Sequence, residues 1–268
     1  MASKRRIVVI GARGVFGSLL VRELENDFEV IAGTRGHLDF RGAYAVACAA
    51  GPFQDLDRAM VHDAVEAGAH WLDIADDAGW FFDLLDDQAL NALAIEKGVA
   101  VISGLSSFPA VAGALVRKLG APKHVTITLE IGNANEKGAA AMSSAANLVS
   151  PNRDLLRREL GIDAETRVKF EMPLAAPMLR ALGLLPPNAR IRVAKLLSRL
   201  AKPFKFGGSG GGVEVRAGER VAVARGKDQR FAILPLVFAL HRLDGLKGCL
   251  SPSVFDSEEL LRYLSSRA

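Results

Sequence analysis

The sequence predicts an α/β protein: a doubly wound parallel sheet followed by a second, smaller α+β domain. Three observations carry that expectation. Over residues 6–120, short apolar runs rich in β-branched residues alternate with stretches of helical period. Several of those runs are apolar throughout, as in Tyr44–Ala50, the pattern of parallel strands covered on both faces. Beyond residue 121 the rhythm changes to a half-buried alternating strand, a glycine-rich stretch and a hairpin signal. The expected division is therefore 1–121 and 122–268.

The first element is the most informative. Ile7-Val8-Val9-Ile10 is a buried strand that stops at Gly11. Val15, Leu19, Leu20 and Leu24 then share one face of a helix. Between them runs Gly11-Ala12-Arg13-Gly14-Val15-Phe16-Gly17, a G-x-x-G-x-x-G turn. Such a turn leaves amide N–H groups at a helix N-terminus without intrahelical partners, and with the helix dipole these favour a phosphate. Gly11 can take an unusual backbone angle, Gly14 lets a diphosphate approach, and Gly17 lets helix and strand pack closely. Placed between strand and helix, the motif is a variant of the Rossmann dinucleotide fingerprint. The alternative is a glycine-rich turn that binds nothing.

Phe28–Ala32 is the second strand, ending at Gly33-Thr34-Arg35-Gly36. An acidic residue at this point would hold ribose hydroxyls; Thr34 and Arg35 stand there instead. Arg35, helped by Arg13, suits the 2′-phosphate of NADP, at a preference of roughly ten- to hundredfold. The residues from Gly36 to Gly42 are too few for a crossover helix. Tyr44–Ala50 is a strand ending at Gly51-Pro52-Phe53, Gln54–Gly68 a helix, and Trp71–Ala75 a strand ending at Asp76-Asp77. Trp80–Lys97 reads as one helix, Val99–Ser103 as a strand, and Phe108–Leu119 as a helix with Pro109 in its first turn. In the second half, His124–Ile131 alternates as a strand, Ala139–Val149 is helical, and Val168–Met172 has strand character. Gly207–Gly212 is a flexible loop before a hairpin centred on Gly218. Phe231–Leu243 is a helix delayed by Pro235, and Asp256 caps a last helix that packs back on the first domain.

The chain has 268 residues, half of them hydrophobic, and two cysteines far apart. This excludes a disulfide framework and fits a reducing, cytoplasmic setting. No signal peptide or membrane-spanning run is expected. The five histidines show no metal-site spacing, so no metal is expected. A net charge of +4 and a pI near 9.2 favour anionic small partners, yet no nucleic-acid motif accompanies them. From Met178 to Phe206 the chain carries Arg180, Arg190, Arg192, Lys195, Arg199, Lys202 and Lys205 without an acid. Over 189–202 this makes a basic amphipathic helix, which can lie on an anionic membrane, cover a hydrophobic substrate, or dock on its own domain. A small-molecule substrate and a homodimer complete the expected partners; nucleic acid is not among them.

The early glycine motif, Gly33-Thr34-Arg35, Ala50-Gly51-Pro52-Phe53, Ala67-Gly68-Ala69-His70-Trp71-Leu72-Asp73 and Ser106-Ser107-Phe108-Pro109 together resemble the saccharopine dehydrogenase-like oxidoreductases. The resemblance covers residues 6–120, with later echoes at Lys137-Gly138 and Gly226–Ala232. It implies a Rossmann domain, NAD(P), and a mixed second domain that holds substrate. Trp71 stands where the family commonly has tyrosine, and the chain is short for the family.

Ligands of open α/β sheets bind beyond the carboxyl ends of the strands. That rule leaves Tyr44, His62 and His70 as structural. It keeps Ala50, Gly51, Pro52 and Phe53 as a wall of the cofactor cleft, together with Asp76, Asp77, Ser106 and Ser107. Asp76 is the candidate proton donor, with a pKa raised by like-charge repulsion from Asp77. The alternative is that both carboxylates cap the next helix or face water. Ser107 is read as a helix cap, and Lys137 and His241 are not placed by the sequence. The expected function is NADP-dependent hydride transfer on a small or lipophilic substrate. The alternative is a catalytically silent NADP-binding sensor or scaffold.

Overall fold

The structure is a computed structural model that describes residues 4–33, 38–131, 150–170, 193 and 210–267. Its first sheet has six parallel strands in the order β2-β1-β3-β4-β5-β10. They are β1 Arg6–Ile10, β2 Glu29–Gly33, β3 Ala45–Cys48, β4 His70–Asp73, β5 Ala100–Ile102 and β10 Gly248–Leu250. Helices α1 Val15–Leu24, α2 Ala59–Glu66, α3 Ala78–Leu85, α4 Gln88–Lys97 and α5 Ala112–Lys118 connect or follow the first five. Residues of β1, β3 and β4 such as Ile7, Val9, Val46 and Leu72 are fully buried, which is why these strands read as unbroken apolar runs.

The second sheet runs β7-β6-β8-β9, from β6 His124–Ile131, β7 Asp163–Phe170, β8 Gly211–Ala217 and β9 Arg220–Gly226. β6 and β7 are parallel and the other pairs antiparallel. Val125, Ile127, Val213 and Val215 form its buried face. Helix α6 Asn152–Leu160 packs beside β7; α7 Leu234–Leu240 and α8 Ser257–Arg267 complete the described helices. The fold class is thus the doubly wound parallel sheet plus a mixed-sheet unit that the sequence predicts.

No helix links β2 to β3 among the described residues. Leu38 lies over Gly33, and Phe40 and Ala43 are buried, so a few apolar side chains cover the sheet where a helix would. Leu38→Ala should cost about 1–2 kcal/mol in urea unfolding, the worth of one half-buried leucine. β2 remains the sheet edge, with Ile31 39% exposed.

Several boundaries differ from expectation for local reasons. The helix expected over 54–68 starts at Ala59, because Asp57 Oδ1 accepts a hydrogen bond from the Ala59 amide at 2.9 Å. The helix expected over 80–97 is two, because Asp87, in extended backbone, caps a new helix by accepting from the Leu90 amide at 2.9 Å. Pro109 does not sit in the first turn of an α-helix. Phe108 is extended (φ −125°, ψ 131°), as a residue before proline tends to be, and α5 begins at Ala112. α6 was not foreseen; its signals are Pro151 at its start and Gly161 (φ 66°) past its end. Gly211 and Gly212 belong to β8 rather than to a flexible loop. β10, within the stretch assigned to the second domain, returns to the first sheet beside β5. The expected delay at Pro235 and the Asp256 cap, accepting from the Glu259 amide at 2.8 Å, are observed. The helix expected over 139–149 lies outside the described residues.

Candidate active site

The glycine turn joins the carboxyl end of β1 to α1. Gly11 has φ +82°, and a Cβ there would come within 2.7 Å of the Ala50 amide nitrogen. A Cβ on Gly17 would come within 2.0 Å of the Gly11 carbonyl oxygen. Both close approaches follow the roles expected for the first and third glycines. The Gly14 amide donates to the Gly11 carbonyl at 2.7 Å, which closes the turn. Gly14 is the N-cap of α1, in extended backbone, and no side chain caps the helix. Gly14 and Arg13 are exposed, and Ala12, Val15 and Phe16 are half-buried. The amides opening α1 therefore have no side-chain acceptor, which suits a dinucleotide diphosphate.

The second wall is the end of β3. The Ala49 amide donates to the Ile10 carbonyl at 2.9 Å, so this segment stays paired to β1 up to the turn. A Cβ on Gly51 would meet nothing within 4 Å, and Pro52 is exposed. Phe53 is different: it is buried, its ring centroid 5.7 Å from that of Trp80. Gly51 and Pro52 face outward, while the Phe53 ring anchors the turn from beneath. Thr34, Arg35 and Lys137 lie outside the described residues, as does 189–202 apart from Val193.

The third segment follows β4. Asp77 is the N-cap of α3, Oδ1 accepting from the Trp80 amide at 2.8 Å and Oδ2 from Gln54 Nε2 at 2.9 Å. Capping thus accounts for Asp77, but not for Asp76. Asp76 is half-buried, and burial pushes its carboxyl up to about 6. A hydrogen bond from its own amide opposes that shift, and the Asp77 charge adds to it. Desolvation, not like-charge repulsion, is therefore the main cause. Ser107 is no side-chain cap; the hydroxyl of the buried Ser106 donates to the Phe108 carbonyl and holds the turn after β5.

Two of the groups read as structural, Tyr44 and His70, lie at the amino ends of β3 and β4. Tyr44 donates to Asp244 at 3.2 Å beneath the Arg5 guanidinium, 4.2 Å from its ring. His70 Nδ1 accepts from the Ala100 amide at 2.9 Å, and burial lowers its pKa to about 4. His62 differs: α2 starts at Ala59, so it lies in the first turn of that helix, 3.4 Å from Asp87, the cap of α4. His241 packs on Phe28 with ring centroids 4.9 Å apart, just past α7 and away from the glycine turn.

The sequence reading missed Asp73. It is fully buried at the end of β4 and accepts five hydrogen bonds. The signal was present in Trp71-x-Asp73: residues two apart on a strand point to the same face, so the indole can reach the carboxylate. Among the described residues no group of three or more His, Cys, Asp or Glu could hold a metal. No described helix is long and apolar enough to cross a membrane.

The parallel sheet, the glycine turn at its switch point and the appended mixed sheet define a Rossmann-like fold with a second, mixed sheet. No family model matches the chain, and no curated protein does. Solved structures do. A meso-DAPDH variant with DAP from Clostridium tetani E88 is 13% identical, with 99% of this chain and 97% of that chain covered and a TM-score of 0.52. Dipicolinate-bound dihydrodipicolinate reductase from Paenisporosarcina sp. TG-14 is 10% identical, over 94% and 100% of the two chains, with a TM-score of 0.48. KijD10, a 3-ketoreductase from Actinomadura kijaniata in complex with NADP and TDP-benzene, is 13% identical over 98% and 95%, with a TM-score of 0.38. At these identities the likeness to the first establishes the fold, across nearly the whole length of both chains.

Proposed function

We propose that this protein is an NADP-dependent oxidoreductase acting on a small or lipophilic organic substrate. The observation that carries the reading is the uncapped start of α1 behind a positive-φ glycine, with a carboxyl raised to about 6 at the same end of the sheet. Strand β4 is two places from β1, or about 10 Å along the sheet at roughly 4.8 Å per strand. The start of α1 would hold the diphosphate, Gly51 and Pro52 would flank the cleft, and Arg35 with Arg13 would pair with the 2′-phosphate. When bound, the coenzyme supplies or accepts hydride. Reduction of C=N, C=O or C=C also needs a proton, and Asp76 would deliver it, a role supported by a neutral form that persists to higher pH than that of an ordinary carboxyl. The saccharopine dehydrogenase-like motifs of residues 6–120 support the same chemistry, as do neighbours described as dehydrogenases and reductases.

NADPH titration followed by turnover on imine, enoyl and carbonyl panels tests this. Tight binding without turnover on any panel would favour the silent sensor or scaffold; no binding would end both readings. Arg35→Ala should weaken NADPH roughly ten- to hundredfold and leave NADH within about threefold, measured by fluorescence titration. The basic segment 189–202 and a homodimer are the further partners proposed, in a cytoplasmic setting. Failure to float with anionic vesicles would remove the membrane contact.

A further inference from the structure

Asp73 gathers the parts of the cleft that belong to different stretches of chain. Its Oδ2 accepts from Trp71 Nε1 at 3.0 Å and Trp80 Nε1 at 2.9 Å. Its Oδ1 accepts from the Ala75 amide at 3.0 Å, Ser103 Oγ at 2.7 Å and the Gly104 amide at 3.1 Å. The Asp73 carbonyl accepts from the Leu105 amide at 2.8 Å. One residue therefore binds the β4–α3 loop next to Asp76, the first turn of α3, and the turn after β5. Through Trp80 it also reaches Phe53, and so the Gly51-Pro52 turn. Trp71 and Trp80 are the only tryptophans in the chain, and both indoles are spent on this carboxylate.

Hydrophobic packing alone would not ask for a carboxylate here. Burying one is costly unless donors replace its water, and five donors from separate segments must be brought together to do so. We propose that Asp73 is the positioning residue of the site: it holds the loop carrying Asp76 and the turn after β5 in one fixed arrangement, and so sets where the Asp76 carboxyl sits. The kinetic consequence rests on the oxidoreductase reading; the placement of Asp76 does not.

Asp73→Asn would bring two N–H donors into a site already full of donors, and is expected to unfold the chain rather than report on the site. Ser103→Ala and Trp80→Phe each remove one donor and keep the carboxylate. Carboxyl ¹³C NMR, with Asp76 assigned through Asp76→Asn, follows Asp76 without any substrate. Among the described residues the charge acting on Asp76 is that of Asp77. Ser103→Ala should admit water, move the Asp76 midpoint from about 6 toward the ordinary carboxylate value of 3.8, and shift both indole N–H signals. With a substrate in hand, kcat of Ser103→Ala should fall roughly 10- to 100-fold while its KM for NADPH stays within about twofold, since the glycine turn is not bound to Asp73 and Trp80, which reaches the Gly51-Pro52 turn through Phe53, is unchanged. A lower melting temperature with the Asp76 midpoint and kcat unchanged in both variants would overturn the proposal and leave Asp73 a stabilising residue only. Absence of turnover in the wild type, with the midpoint still moving in Ser103→Ala, would sink the oxidoreductase reading and uphold the positioning role.

Discussion

Replacing Gly14 with aspartate is expected to abolish coenzyme binding while leaving the fold intact or slightly more stable. Gly14 is the N-cap of α1 at φ −75°, ψ 178°, a conformation open to any residue. A Cβ there would meet only the Gly11 carbonyl oxygen, at 3.1 Å, so a few tenths of an ångström of movement accommodate it. Aspartate is among the best N-caps, worth roughly 0.5–2 kcal/mol, because its carboxylate accepts from the second or third helical amide. Those are the amides assigned here to the diphosphate, and they cannot serve both anions. At about 4 Å, charge repulsion costs on the order of 1–4 kcal/mol for each close pair. NADPH affinity by calorimetry should fall roughly 100- to 1,000-fold, with the urea midpoint unchanged or raised. Retained affinity in a folded Gly14→Asp protein would refute the cradle.

The second large effect is expected at Asp76. As the proton donor it should be worth about 10²- to 10⁴-fold in turnover, lost in Asp76→Asn with NADPH binding retained. In the reductive direction the wild-type rate should fall as pH rises through about 6, where the carboxyl loses its proton. Stability carries the same signature with an independent readout. The folded pKa lies above the ordinary 3.8, so the unfolded chain binds fewer protons between those values. The contribution of Asp76 to stability is whole below about pH 4 and is lost as pH rises through about 6. Asp76→Asn should therefore match the wild type near pH 4 and exceed it at pH 8, by at most about 3 kcal/mol. An equal urea midpoint for the two proteins at pH 8, with turnover unchanged, would remove Asp76 from the site.

The elements legible in the sequence are those whose signal is local. β1, the glycine turn and α1 span neighbouring residues, and their periods and glycines point one way. The β6 alternation and the hairpin at Gly218 were read for the same reason, and the lack of a crossover helix among the described residues was read from length alone. Misreadings came where a polar side chain competes with helix continuation, as at Asp57 and Asp87, or where proline biases its neighbour, as at Phe108. At the candidate site, residue types did not indicate what each side chain touches. Phe53 was placed on the wall and lies beneath it against Trp80, and Asp77 proved to be a cap.

By itself the sequence determined the alternation of strands and helices over residues 6–120 and the glycine turn, because these follow from backbone propensity and apolar period within a few residues. Only the tertiary structure decided that β10 returns to the first sheet, that burial raises Asp76, and that five donors converge on Asp73. Each of these depends on groups far apart in the chain being brought into a space without water. Desolvation and hydrogen-bond convergence are set by that meeting, not by any one segment.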